Sequence, residues 1–100
     1  MKVEFSDRFA KDIKKLSGKM LVSVLSALDD VRRAQRIEDL ANCRKLVGYR
    51  HIYRIRIGDK RAFFSFHVEL LDGRAYFIHL ANRGSAYDKR SEQVLKREDI

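Results

Sequence analysis

No proline occurs in the 100-residue sequence, and cysteine occurs once. Without proline, and with five glycines scattered along it, the chain has no stretch with the composition of a stiff linker. No repeat or low-complexity tract divides it, so residues 1–100 read as a single domain whose length allows one core. The lone Cys43 leaves no internal disulfide and suits a reducing compartment. No cluster of Cys, His or acidic side chains has the spacing of a zinc site, so neither a metal nor another cofactor is expected. Long apolar runs are missing as well. The first residues, MKVEFSDRF, hold no unbroken apolar segment, and nowhere do about 18 apolar residues follow one another. Neither export nor membrane insertion is expected, and a cytoplasmic location is.

What the chain does contain is apolar material and positive charge. Hydrophobic residues make up 45%, enough to fold a core although 36% of residues are charged. Against 14 Asp and Glu stand 22 Lys and Arg, a net charge of +8, and an excess of that size on one small domain favours a polyanionic partner. Nucleic acid is the first such partner to consider.

The hydrophobic period changes along the chain. Val3 and Phe5 alternate with charge, which suits a short edge strand. Ser6 can cap a helix, Asp7 suits the positive end of its dipole, and Phe9, Ile13 and Leu16 recur at helical spacing as far as Gly18. Leu21, Val24, Leu25, Leu28 and Val31 then form a second apolar stripe, opposite Ser23, Ser26, Asp30 and Arg33. From Tyr49 the period is 2. In YRHIYRIRI, His51, Tyr53, Ile55 and Ile57 share one parity, and Ile52, Arg54 and Arg56 the other. Gly58 and Asp59 turn the chain, and KRAFFSFHV separates Ala62, Phe64, Phe66 and Val68 from Arg61, Phe63, Ser65 and His67. A second turn is expected at Leu71, Asp72 and Gly73. RAYFIHLA then separates Tyr76, Ile78 and Leu80 from Phe77, His79 and Ala81, and a short helix is expected around Val94 and Leu95.

Helices first and an antiparallel meander after them give an α+β domain, with an N-terminal strand and helical hairpin packed on one face of a mainly antiparallel curved sheet. On this reading the other face is open. It carries Arg54, Arg56 and Arg61, with Arg83 just past the last strand and Phe63, His79 and Tyr87 nearby. Guanidinium groups bond phosphate oxygens in a bidentate way and stack on bases, so arginines among rings suit RNA. Alternating arginine on a strand also suits a plain solvated face.

The order of elements, together with KLVGYRHIYRIRIGDKRAFFSFHV and YFIHLANRGSAY, resembles the RelE/ParE toxin superfamily over nearly the whole chain. The shared features are Lys45, Leu46 and Gly48 as K-L-x-G, the run from Tyr53 to Arg61, and Arg83 with Tyr87. The resemblance implies a RelE-like fold and the toxin of a type II toxin–antitoxin system, in its mRNA interferase branch. It places Arg54, Arg56, Arg61, Arg83 and Tyr87 in the active site, with Arg61, Arg83 and Tyr87 expected in catalysis and Arg54 and Arg56 on the RNA; Lys45, Arg50 and Lys60 are further basic residues expected to bind RNA. It also implies metal-independent cleavage, by attack of a ribose 2'-OH on the adjacent phosphate, on messenger RNA and in association with the ribosome, so that translation stops. A cognate antitoxin would mask the basic face.

The proton acceptor is the open place in that scheme. Some relatives carry lysines where this chain has Arg54 and Arg56, and arginine, protonated at ordinary pH, is a poor base. Imidazole is the side chain that changes charge near neutrality, so His79 ranks first as the missing acid or base, ahead of His67 and His51. Two other functions fit less of the pattern: a ParE-like gyrase inhibitor without enzymatic activity, and a non-catalytic RNA-binding domain.

Overall fold

The expected order of elements is present in the computed structural model, which describes residues 1–67 and 73–100. Along the chain come β1 (Lys2–Phe5), α1 (Asp7–Lys14), α2 (Gly18–Arg33), a 3-10 turn (Ile37–Asp39), β2 (Cys43–Lys45), β3 (Ile52–Ile57), β4 (Lys60–Ser65), β5 (Arg74–Asn82), a second 3-10 turn (Arg83–Ser85) and α3 (Lys89–Glu98). The expected place of Val68 on the core face, and the turn residues Leu71 and Asp72, lie outside the described residues.

Local chemistry accounts for the ends of the elements. Ser6 converts β1 into α1, its hydroxyl accepting the Phe9 amide at 3.1 Å. At the other end of the hairpin, the amino group of Met1 donates to the carbonyls of Val31, Arg32 and Ala34 at 3.2, 2.7 and 2.7 Å, placing positive charge at the negative end of α2. Gly58, at φ 56°, makes the β3–β4 turn in a left-handed conformation that a side chain disfavours.

The five strands lie in the order β1-β5-β4-β3-β2, with β1 parallel to β5 and every other pair antiparallel. On one face Phe9 from α1 and Val24, Leu28 and Val31 from α2 meet Tyr53, Ile55, Ile57, Ala62, Phe64, Phe77 and Leu80. Leu25, expected in this contact, points to solvent instead, because the buried stripe of α2 runs through Val24, Leu28 and Val31 and turns away from it.

A single core was expected, and here the structure corrects the reading: a second apolar cluster lies on the opposite face. Leu46, Ile52, Phe63, Ile78 and Ala81 pack there under Leu95 of α3. Asp88 caps α3 by accepting the Ser91 amide at 2.8 Å, so Ser91, Val94 and Leu95, spaced by three and four, turn inward. Beyond the last turn, both carboxylate oxygens of Asp99 accept backbone amides, those of Arg50 and His51, each at 2.7 Å. α3 is thereby capped at its start and tied at its end to the entry of β3, and only part of the expected open face is open. No helix among the described residues is long and apolar enough to cross a membrane.

Two further departures have physical causes. The pairing of β4 with β5 shifts register: Phe63 faces His79 while Phe64 faces Phe77, leaving Ile78 as the extra residue of a bulge. Strict alternation along β5 therefore fails. Phe77 and Leu80 share the α1/α2 side, and Ile78 and Ala81 share the α3 side. The stretch before Leu46 also holds a strand, β2, which pairs antiparallel with β3 at the sheet edge.

Candidate nucleic-acid interface

Residues directly opposite each other in paired strands present side chains on the same face, so register decides which charges meet. Arg54 of β3 stands between Arg44 of β2 and Phe63 of β4, with His79 of β5 next in the row. One step along, Arg56 stands opposite Arg61, and Arg61 opposite Ala81. Arg44 was not among the expected site residues. The only sign of it in the sequence is a three-residue strand, too short for alternation to reveal.

Past β5 the chain folds back over this face. The Arg83 amide donates to the Asp59 carbonyl at 2.7 Å, tying the second 3-10 turn to the β3–β4 hairpin tip. Tyr87 follows, 60% exposed, with its ring edge-on to Phe63 at 6.2 Å and its hydroxyl 3.5 Å from Arg54 Nη1. The Nε of Arg54 is buried and has no partner among the described residues. Arg44, Arg56 and Arg83 are exposed, and none of the three has an ion-pair partner among the described residues. The result is a rim of guanidinium groups around one exposed tyrosine, of which Arg44, Arg56 and Arg83 are left without an ion pair among the described residues.

Other expected residues occupy different situations. Arg61 is only 9% exposed, and its Nη1 donates to the carbonyls of Gly58 at 2.8 Å and Lys60 at 3.0 Å, stapling the hairpin tip on which Arg83 rests. The ammonium of Lys60 bonds the Asn82 side chain, and that of Lys45 donates to the Tyr49 carbonyl at 2.8 Å. Lys45 pairs with Tyr53, whose side chain faces the α1/α2 core, so register assigns it to the other face from Arg44. Arg50 precedes β3 beside Asp99, at the opposite end of that strand from Arg56 and the hairpin tip. The rings of His51 and His67 lie with centroids 3.9 Å apart and planes tilted by 31°, near the same end. Phe63, expected to meet bases, is fully buried.

His79 shares the arginine face by register but is 6% exposed, its ring lying over Phe63 at 5.8 Å. Burial lowers its pKa below the usual 6.5, with Arg8 and Arg90 adding to the effect and Asp12 and Asp88 opposing it. Because the folded-state value is depressed, the unfolded chain takes up the proton first as pH falls. The stability due to neutral His79 is thus present above about pH 6.5 and is lost below it, as pH drops through the folded value. Thermal melts at pH 7.5 and 5.5 should show a larger drop in Tm for the native chain than for His79→Gln. Equal drops would remove His79 as the cause.

Cys43 stands opposite Ile55 and packs against the α1/α2 core, and burial pushes its thiol up from 9.0 to about 11 although Arg54 pulls the other way. Since only the thiolate alkylates, iodoacetamide at pH 7.5 should label the folded chain about a hundred-fold more slowly than the urea-unfolded chain, a difference read by mass spectrometry. Similar rates would mean that Cys43 is not held as described.

Comparison with known proteins follows the same lines. No family model matches the chain. It is 29% identical over 89 residues to Toxin RelE3 of Methanocaldococcus jannaschii, an alignment covering 88% of this chain and 97% of that protein. Its fold superposes on a mutant of E. coli toxin RelE in the free state with a TM-score of 0.73, at 21% identity, over 99% of this chain and 97% of the other. A chain of the RelB-RelE antitoxin-toxin complex from Methanococcus jannaschii gives 0.68 at 24% identity, over 86% and 96% of the two chains. The archaeal RelE-RelB complex from Pyrococcus horikoshii gives 0.67 at 22%, over 83% and 94%. The expected likeness to RelE toxins is borne out for the chain as a whole, and the α+β fold is RelE-like.

Proposed function

We propose that this RelE-like chain is the toxin of a toxin–antitoxin pair and an endoribonuclease that cuts messenger RNA without a metal. The observation carrying this reading is the rim of Arg44, Arg54, Arg56 and Arg83 around exposed Tyr87. In the reaction the ribose 2'-oxygen loses its proton and bonds the adjacent phosphorus. The bond to the 5'-oxygen breaks, that oxygen takes up a proton, and a cyclic phosphate is left. Negative charge builds on the phosphoryl oxygens meanwhile, and fixed guanidinium groups stabilise it without having to reorganise. Arg56 and Arg83 are the exposed cations for that role, Arg44 and Arg54 hold the neighbouring backbone, and Tyr87 supplies a ring on which a base stacks.

The test is a translation reaction with and without the chain, with primer extension mapping cuts in the message and a gyrase supercoiling assay run alongside. Cuts that vanish in Arg83→Ala support the reading. Gyrase inhibition with intact message would replace it.

The antitoxin is a partner on the same reading, supported by the RelB found with the archaeal relatives. A groove of about 840 Å3 between α2, residues 39–42 and β3 offers it accessible apolar lining at Val22, Ala27 and Leu40. Arg56 lines the same groove, so a segment lying there reaches the basic rim and neutralises it.

A further inference from the structure

The hydrogen atoms around His79 can be placed by counting. Its Nε2 lies 2.8 Å from Ser91 Oγ, and that hydroxyl has one proton, which it donates to the Ser85 carbonyl at 2.8 Å. Ser91 must therefore accept from the ring, and the neutral imidazole carries its proton on Nε2. The other nitrogen, Nδ1, is buried with no partner among the described residues. A nitrogen closed off from solvent and substrate takes no proton from a ribose hydroxyl, so His79 is not the missing base.

Its position gives it another role. Ser85 ends the 3-10 turn that begins at Arg83, and Tyr87 lies two residues beyond it. Two other bonds converge here: the Asp88 amide also donates to the Ser85 carbonyl, at 3.3 Å, and the Asp88 carboxylate accepts the Ser91 amide. On the other side the His79 ring supports Phe63, which meets Tyr87 edge-on. One buried side chain thus reaches the turn twice, through Ser91 and through Phe63. We infer that His79 is a positioning residue, an Nε2–H imidazole that orders Ser91, and through it the Ser85 carbonyl, so that Arg83 and Tyr87 are held in fixed relation to the RNA. This rests on the ribonuclease reading above, since the turn matters only if Arg83 and Tyr87 meet the reacting phosphate.

Three variants separate positioning from packing. Ser91→Ala breaks both bonds of the relay. His79→Phe keeps a ring over Phe63 and removes the donor. His79→Gln returns an amide donor to the reach of Ser91. With ribosome-bound message as substrate, kcat should fall roughly ten- to a hundred-fold in the first two while KM changes by less than about three-fold, and His79→Gln should recover most of the loss. Leu95→Ala, which weakens α3 packing but leaves the relay in place, is the control for stability. Exchange of the Asp88 amide, which donates to the Ser85 carbonyl, should quicken roughly ten-fold in Ser91→Ala and His79→Phe, and this readout needs no activity. Nitrogen-15 spectra of the native chain should show His79 protonated on Nε2 and bare on Nδ1. A proton on Nδ1, unchanged exchange in both variants, or a kcat loss that Leu95→Ala reproduces would overturn the inference. If the native chain cuts no RNA while tautomer and exchange come out as stated, the ribonuclease reading fails and the tether alone stands.

Discussion

Replacing Arg83 with alanine should slow cleavage of ribosome-bound message by about a hundred- to a thousand-fold, the usual loss when one preorganised donor to a developing oxyanion is removed. The fold should be unaffected. The guanidinium is exposed with no ion-pair partner among the described residues, and the contact that anchors residue 83, its amide to the Asp59 carbonyl at 2.7 Å, belongs to the backbone and survives the change. Arg83→Lys should recover part of the rate, because a point charge replaces part of what a planar fork does. Arg61→Ala provides the contrast. It removes both donations to the hairpin tip, to Gly58 and Lys60, so it should lower stability by about 1–3 kcal/mol as well as activity, through the support it withdraws from the tip that Arg83 leans on. Single-turnover rates and thermal melts on the two variants separate these outcomes. Cleavage by Arg83→Ala at the native rate would remove Arg83 from the chemistry.

The parts of this site that could be read from the sequence are those governed by an uninterrupted period. β3 and β4 are regular and joined by a two-residue turn, so alternation places Arg54, Arg56, Arg61 and Phe63 on one face, and the register agrees. β5 contains a bulge that no single residue type announces, so the parities expected for Tyr76 through Ala81 are each split at Ile78. Arg44 lies on a strand of three residues, where period 2 has nothing to repeat against. α3 was visible only as Val94 and Leu95, and two apolar residues do not tell which surface a helix will cover. That last gap had the largest effect. Without α3 in place the whole second face looks open, and two buried side chains, Phe63 and His79, look like ligands for RNA.

Phe63→Ala is the substitution on which those two readings differ most. If Phe63 met a base, its loss would raise KM for RNA and leave stability alone, since an exposed ring contributes little to folding. As the centre of the cluster formed by Leu46, Ile52, Ile78 and Leu95, fully buried, its loss should cost about 3–5 kcal/mol, the range for a large aromatic removed from a core that collapses only in part. At about 4–8 °C per kcal/mol in a domain of this length, Tm should fall by at least 12 °C or so. Phe64→Ala, on the other side of the sheet, should cost a similar amount, since that ring is equally buried among Tyr53 and Phe77. The pair should then diverge in activity. Phe63 alone touches both His79 and Tyr87, so at a temperature where both variants are folded, Phe63→Ala should lower kcat further than Phe64→Ala. A higher KM for RNA with an unchanged Tm in Phe63→Ala would mean that α3 does not cover this face in solution, and would restore Phe63 to the RNA-binding surface.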